Sequence, residues 1–333
     1  MQRVLTVLAA SACAFQTAVA EPVTLDTLVR AETDTAMRGT AKSGGGVGKI
    51  FHLRAPTPID KQTIIRMNRD TLYSAVVLDL SKPVTVVLPD TKGRYLSMHV
   101  INQDHYMYVV TKPGRYRLTQ REVGTRYAQL SFRTFVDAGD PEDVKAANAV
   151  QDTIEISGGG EGPLEMPEWD QEQLETARKA ANLFATMGLD TGRAFGKKGE
   201  VDALHFVVGA IAGWGGLPKE AAVYVLDAVE KNDGTPYAVT AKDVPVDAFW
   251  SITVYNEKGF IEENDRDAYS FNNVTAEKDK DGAITIHFGG CEDGRVNCLP
   301  IKKGWNYAVR LYEPRKEIIN GTWKFPKLRQ LQK

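Results

Sequence analysis

The sequence predicts a mainly β chain built of two antiparallel β domains with a helical segment between them. Three observations predict it. Short runs rich in β-branched and aromatic residues, separated by turn residues, fill the first and last parts of the chain. The middle shifts from a period of two to a helical period. A glycine run, SGGGEGP, marks the shift near residue 158. The organisation expected is a signal peptide at 1–20, an N-terminal β domain at 21–157, a linker and helical segment at 158–243 and a C-terminal β domain at 244–333.

The leader MQRVLTVLAASACAFQTAVAEP carries Arg3, an apolar run and Ala18, Val19 and Ala20 ahead of Glu21. That is the pattern signal peptidase reads, so cleavage after Ala20 is expected, with a periplasmic or secreted product. The run is too short to span a bilayer. No later run of about 18 apolar residues follows, so no membrane span is expected after cleavage. The formal charge of −2 becomes −3 when Arg3 is lost. A nearly neutral chain without a basic stripe argues against nucleic acid as a partner and leaves a small-molecule or glycan ligand, or a protein. About 310 mature residues exceed the usual size of one domain and supply a core for each of two.

Of three cysteines, Cys13 leaves with the leader, and Cys291 and Cys298 remain in CEDGRVNC. An even pair outside the cytoplasm predicts a disulfide acting as a local staple. Two thiolates without a nearby histidine fall short of a zinc site.

In the first β block, SAVVLDL, KPVTVVLPD, RYLSMHVIN, HYMYVVT and YAQLSFRTFV read as strands. Alternation sets Leu96, Met98 and Val100 on one face and Tyr95, Ser97 and His99 on the other, with Arg133 beside Ser131 and Phe135; one face should pack and the other meet water or ligand. DPEDVKAANAVQD, from Asp140, reads as a short helix. DQEQLETARKAANLFATMG reads as a longer one, N-capped by Asp170, with Leu174, Ala177, Ala181 and Phe184 as its stripe. PKEAAVYVLDAVEKNDG reads as another, with Pro218 in its first turn and Gly234 past its end. Strands resume in FWSITVYN, YSFNNVT, AITIHF and NYAVRLYEP.

RMNRDTLYSAVVLDLSKPVTVVLPDTKGRYLSMHVINQDHY resembles the core of the DUF1254 family, and AFWSITVYNEKGFI through VRLYEPRKEIINGTWKFPKL resembles its companion, DUF1214. The resemblance runs from about Ile64 to Leu328, GWGGLPKEAAVY included. It implies a jelly-roll-like β-sandwich for each domain, in exported bacterial proteins of no settled activity, some bearing a carboxylesterase label.

Familiar catalytic motifs are missing. Neither G-x-S-x-G nor HGGG occurs; Ser74 and Ser251 are the serines inside family motifs, both in predicted strands. The histidines form no H-E-x-x-H pair, although His99 and His105, with Asp104 between, could meet across a turn. TGRAFGKKGE lacks the first glycine of a phosphate loop, and EKDKDG has Phe288 where a calcium loop needs Glu. EENDRD, Glu262 to Asp267, reads as a solvated acidic loop with loose calcium binding as the alternative. No metal and no cofactor is called for.

Polar residues inside apolar motifs remain: Asn68, Arg69, Asp70, Tyr73 and Arg133 in the first domain, and Trp250, Tyr255, Arg310 and Tyr312 in the second. Together they suit a sugar, whose hydroxyls bond to Asp, Asn and Arg while aromatic rings cover its C–H face. The competing reading is a buried Asp70–arginine ion pair locking the first strand. Asp70 and Asp104 are the carboxylates to consider for a hydrolase. His99, His105 and Trp214, in the glycine-rich GWGGLP loop, complete the expected binding set. Three functions follow: an exported binding protein for carbohydrate or another envelope-derived small molecule, a hydrolase of glycan, amide or ester bonds, and a structural or virulence-associated interaction protein.

Overall fold

The computed structural model describes residues 20–62 and 64–331. The predicted leader falls almost wholly outside them. The first part of the chain runs α1 (Leu28–Gly44), β1 (Phe51–His52), β2 (Thr71–Asp79), β3 (Val84–Leu88), β4 (Leu96–Asn102), β5 (Met107–Val110), β6 (Gly114–Leu118), α2 (Gln120–Val123), β7 (Tyr127–Phe135), α3 (Pro141–Gln151) and β8 (Glu155–Ser157). Its strands form a five-stranded sheet, β1-β2-β7-β4-β5, and a three-stranded sheet, β6-β3-β8. The two sheets close on Val76, Leu78, Val84, Val86, Met98, Leu130 and Phe132. Leu96, Met98 and Val100 face this core as their alternation requires.

A helical segment follows, with α4 (Gln171–Ala185), α5 (Thr191–Ala194) and α6 (Ala203–Ala212). Asp140 and Asp170 accept backbone N–H bonds at the starts of α3 and α4, each cap contributing about 1 kcal/mol. On α4, Leu174 and Ala181 are buried, but Phe184 is exposed. The expected core stripe therefore stops a turn early.

The second sandwich contains β9 (Ala222–Val225), β10 (Tyr237–Ala241), β11 (Trp250–Tyr255), β12 (Ser270–Asn272), β13 (Ile284–Phe288), β14 (Cys298–Leu299), β15 (Asn306–Tyr312), α7 (Lys316–Ile319) and β16 (Arg329–Gln330). Sheets β12-β11-β15-β9 and β14-β13-β10-β16 pack on Val239, Trp250, Ile252, Phe288, Trp305 and Val309. All strand pairs of both sandwiches are antiparallel except β13 with β14. The chain is thus mainly β, as expected.

Two expectations fail and one element was not anticipated. The helix at PKEAAVYVLDAVEK does not form: Ala222–Val225 pair with Val309–Tyr312 as an edge strand, because A-V-Y-V alternates and sends Val223 and Val225 into the core. The second sandwich therefore begins near residue 222, not 244. Secondly, the N-terminal stretch is helical: α1 covers one end of the five-stranded sheet, with Met37 and Ala41 packed on Val77 and Tyr127. Thirdly, the outer face of that sheet does not meet water. Every residue of β4 is buried, because α1, the α5 region and the second sandwich cover it from end to end.

Cys291 and Cys298 are bonded. Their loop is short, so replacing both by alanine should lower unfolding free energy by about 2.5 kcal/mol with the far-UV circular dichroism unchanged. Loss of the fold would show the staple to be essential to it.

Candidate functional site

The five-stranded sheet and the β12-β11-β15-β9 sheet meet through their outer faces, where polar side chains stand in rows. From β2, β7 and β4 come Tyr73, Arg133 and Ser97, which stand side by side in register. From β12, β11, β15 and β9 come Asn272, Ser251, Arg310 and Tyr224, again in one row. An aromatic hinge closes one side of the layer. The Phe249 ring stacks on Tyr312 at 4.3 Å and meets Phe135 edge-on at 4.9 Å, with Tyr95 5.4 Å away.

Arg310 is buried and holds the loop that precedes β2. Its guanidinium donates to Thr253 Oγ1 at 3.0 Å, to the carbonyl of Arg66 at 2.7 Å and to the Tyr255 hydroxyl at 2.7 Å; that hydroxyl donates to the carbonyl of Met67 at 2.9 Å. Burial works against the Arg310 charge, but Tyr255, Tyr312 and Asp70 outweigh it and keep the group cationic. Asn68 Nδ2 donates to Thr71 Oγ1 and to the Tyr312 hydroxyl, while its Oδ1 accepts from the backbone N–H of Asp70.

Asp70 is 1% exposed. Its Oδ1 lies 3.5 Å from Asn272 Nδ2, and its Oδ2 and the nearby Ser251 Oγ have no hydrogen-bond partner. The expected Asp70–arginine ion pair is not made, since no cation lies within 4 Å of the carboxylate among the described residues. Burial raises the carboxyl above its ordinary value, against the pull of Ser251, Arg310, Asn272 and Arg69.

Arg133, also buried, has no carboxylate partner among the described residues. It donates to the carbonyl of Gly215 at 3.3 Å, approaches His99 Nδ1 at 3.5 Å and lies 5.4 Å above the Tyr73 ring. Burial would raise the Tyr73 phenol, but Arg133, Asn68, Thr71 and Arg310 bring it below the usual value. His99 Nε2 sits 3.0 Å from Met107 Sδ, which fits a neutral ring that donates to sulfur. His105 Nε2 accepts from the Gly215 N–H at 3.1 Å, and its ring packs among Phe195, Phe206 and Trp214. The GWGGLP loop thus seals the layer. Glycine is required there: a Cβ on Gly216 would lie 2.2 Å from the Phe195 ring. Trp214 itself donates to Thr33 on α1 and lines no described opening.

The layer opens at one edge. A cleft of ≈ 1280 Å³ runs between the loops at 56–60 and 136–139 and the acidic loop at 263–267, with Arg69, Asp70, Tyr269, Asn272 and Thr275 along it. Arg69 lies in it, 5.1 Å over the Tyr269 ring and bonded to the carbonyl of Thr57.

Several sequence-predicted site residues lie elsewhere. Asp104 sits in the turn after β4, ion-paired with Arg30, at the end of the sheet opposite Asp70. At a strand rise of about 3.3 Å per residue the two carboxylates are more than about 20 Å apart and cannot share a substrate. Trp250 shares its parity with Ile252 and is buried in the second core against Phe325, so it cannot contact a ligand. Tyr255 and Arg310 anchor the 66–67 loop. His99 and His105 serve the buried layer and do not converge with Asp104; no three His, Cys, Asp or Glu of the described residues are placed to hold a metal. The acidic loop, read from sequence as solvated, forms a cleft wall. Ser74, on the far side of β2, is 2.7 Å from His52 Nδ1 and accepts from Gln151 Nε2, tying β1 and β2 to α3.

Fold and site define a double β-sandwich whose domain junction holds a buried polar layer opening into a cleft. Residues 47–158 match the family described as protein of unknown function DUF1254 and residues 225–316 the one described as DUF1214; the chain belongs to this two-domain family. The structure of the VPA0106 protein from Vibrio parahaemolyticus has the same fold, with a TM-score of 0.68 at 20% identity over 92% of this chain and 98% of that one. An uncharacterised protein from Burkholderia cenocepacia gives a TM-score of 0.50 at 15% identity, over 92% and 87% of the two chains. No curated protein matches the chain.

Burial pushes the imidazole of His105 down to about 3. The folded value lies below the unfolded one, so between about pH 6.5 and 3 the unfolded chain holds a proton the folded chain lacks. Its contribution to stability is full above about pH 6.5 and falls as the pH drops. His105 has φ 63°, which Asn accepts. His105→Asn should therefore reduce the acid-side slope of unfolding free energy by about 1.4 kcal/mol per pH unit, read from urea midpoints between about pH 4 and 6.5. An unchanged slope would mean His105 is not buried neutral.

Proposed function

We propose that the mature chain is an exported binding protein for a carbohydrate or similar polyhydroxylated small molecule, held in the cleft at the domain junction. The observation that carries this reading is the cleft itself: ≈ 1280 Å³ at a junction of two domains, lined by carboxylate, carboxamide, hydroxyl and aromatic groups. The Asn272 amide N–H and the Thr275 hydroxyl offer hydrogen bonds to ring hydroxyls, Asp70 accepts, and Tyr269 and Phe271 offer apolar surface. Export rests on the leader pattern that ends at Ala20.

One contact favours a second reading, an ester or amide hydrolase. Ser74 and His52 form a hydroxyl–imidazole pair at 2.7 Å, and burial and the Arg54 charge hold the imidazole below its ordinary value against the opposing pull of Asp152. Against it, Ser74 is 1% exposed on a regular strand, far from the strained, open elbow that a serine nucleophile occupies.

Titration calorimetry of the chain from Glu21 with mono- and disaccharides should give dissociation constants of roughly 1 μM to 1 mM, weakened about 10-fold by Asn272→Ala and unchanged by Ser74→Ala. Saccharide binding indifferent to Asn272→Ala would place the ligand outside the cleft. Turnover of p-nitrophenyl acetate abolished by Ser74→Ala, without saccharide binding, would favour the hydrolase.

A further inference from the structure

Resting on that cleft as the ligand site, we infer that its ligand is cationic: a polyhydroxylated organic amine, such as an amino sugar, whose ammonium group sits against Asp70. Two independent observations carry this. The first is charge. Asp60, Asp70, Asp137, Glu263, Asp265 and Asp267 line the cleft, against only Arg69 and Arg266, and none of the six carboxylates is in an ion pair among the described residues. Arg266 turns away to the carbonyl of Cys291, while Arg69, inside the cleft and bonded to the carbonyl of Thr57, offsets only part of the field of Asp70 and Asp267, so the lining stays net negative. The second is an unsatisfied acceptor. Asp70 lines the cleft while 1% exposed, with Oδ2 making no hydrogen bond of good geometry and only the neighbouring Ser251 hydroxyl and the Asn272 amide drawing on the carboxylate. A buried anionic acceptor left open is costly alone and is stabilised by a donor carrying positive charge.

Aromatic lining agrees with this. The face of Tyr269 already carries the Arg69 guanidinium at 5.1 Å, so the electrostatics of this wall accept a cation over a ring. A bare metal ion is a poorer fit, because no three carboxylates or histidines of the described residues are grouped closely enough to coordinate one. An ammonium needs only one or two acceptors in a line of negative potential, and hydroxyls on the same molecule can use Asn272 and Thr275.

The test compares three probes that differ at one position, glucosamine, N-acetylglucosamine and glucose, titrated into the mature chain by calorimetry at low and high salt. Glucosamine should bind roughly 10- to 100-fold more tightly than either neutral sugar and lose that advantage in Asp70→Asn. In case Asp70→Asn does not fold, the exposed-loop pair Glu263→Gln with Asp265→Asn should weaken glucosamine by several-fold, roughly, and leave glucose unchanged. Equal or tighter binding of the neutral sugars, sensitive to Asn272→Ala, would overturn the cationic ligand and leave the cleft reading standing. Binding of no probe would overturn both, and displacement of glucosamine by equimolar calcium would replace the amine with a metal.

Discussion

The structure depends on one constraint: the five-stranded sheet of the first sandwich and the β12-β11-β15-β9 sheet of the second are covered on both faces, so charged groups in their strands must be accommodated inside the molecule. Removing an ion from water costs several kcal/mol unless hydrogen bonds replace its hydration. Arg310 meets this by bonding to two loop carbonyls, a threonine and a tyrosine, and Arg133 by a carbonyl, a histidine and an aromatic face. Neither has a carboxylate of the described residues in ion-pair range. The tyrosines around them take up part of the field, most plainly Tyr73, whose phenol is drawn below its ordinary value although burial alone would raise it. A layer assembled this way holds two domains in one relative position more specifically than a greasy interface would, because a slip breaks several bonds to buried charges at once.

Much of the fold was legible in local sequence. Period-two alternation located nine strands and assigned the inward face of β4 correctly, and Asp140 and Asp170 marked the starts of their helices. What local pattern could not supply was the partner of each face. Ser97, His99 and Arg133 look like a solvated face until a second sheet covers them. The segment at 218–231 carries helix-start chemistry in Pro218, but its alternating valines gain more from pairing with β15. ALHFVVGAIA shows no amphipathic stripe because α6 is covered on several sides, and α1 has few large apolar residues with which to declare itself.

Site residues divide in the same way. Polar positions inside apolar motifs, Asn68 to Tyr73 with Arg133 and Arg310, did mark the domain junction, since a charge survives in a buried strand only where something receives it. Trp250 was readable as core from its parity with Ile252. Asp104 was not excludable without the register that puts it at the far end of the sheet from Asp70. The acidic loop at 262–267 was visible as sequence, and only its position opposite Asp70 gives it a wall to form.

Asp70 stands where the buried layer meets the cleft, close enough to Arg310 to feel its charge and yet free of it. The central claim is that this carboxylate and this guanidinium, from different domains, stabilise each other across the junction. A double-mutant cycle of Asp70→Asn and Arg310→Met, followed by urea unfolding, tests it most directly. The account predicts a coupling of about 1–3 kcal/mol, with the double variant more stable than the sum of the single losses implies. Additivity within about 0.3 kcal/mol would contradict it and leave the two domains joined by packing and by the hydrogen bonds of Arg310, Tyr255 and Asn68 across the junction.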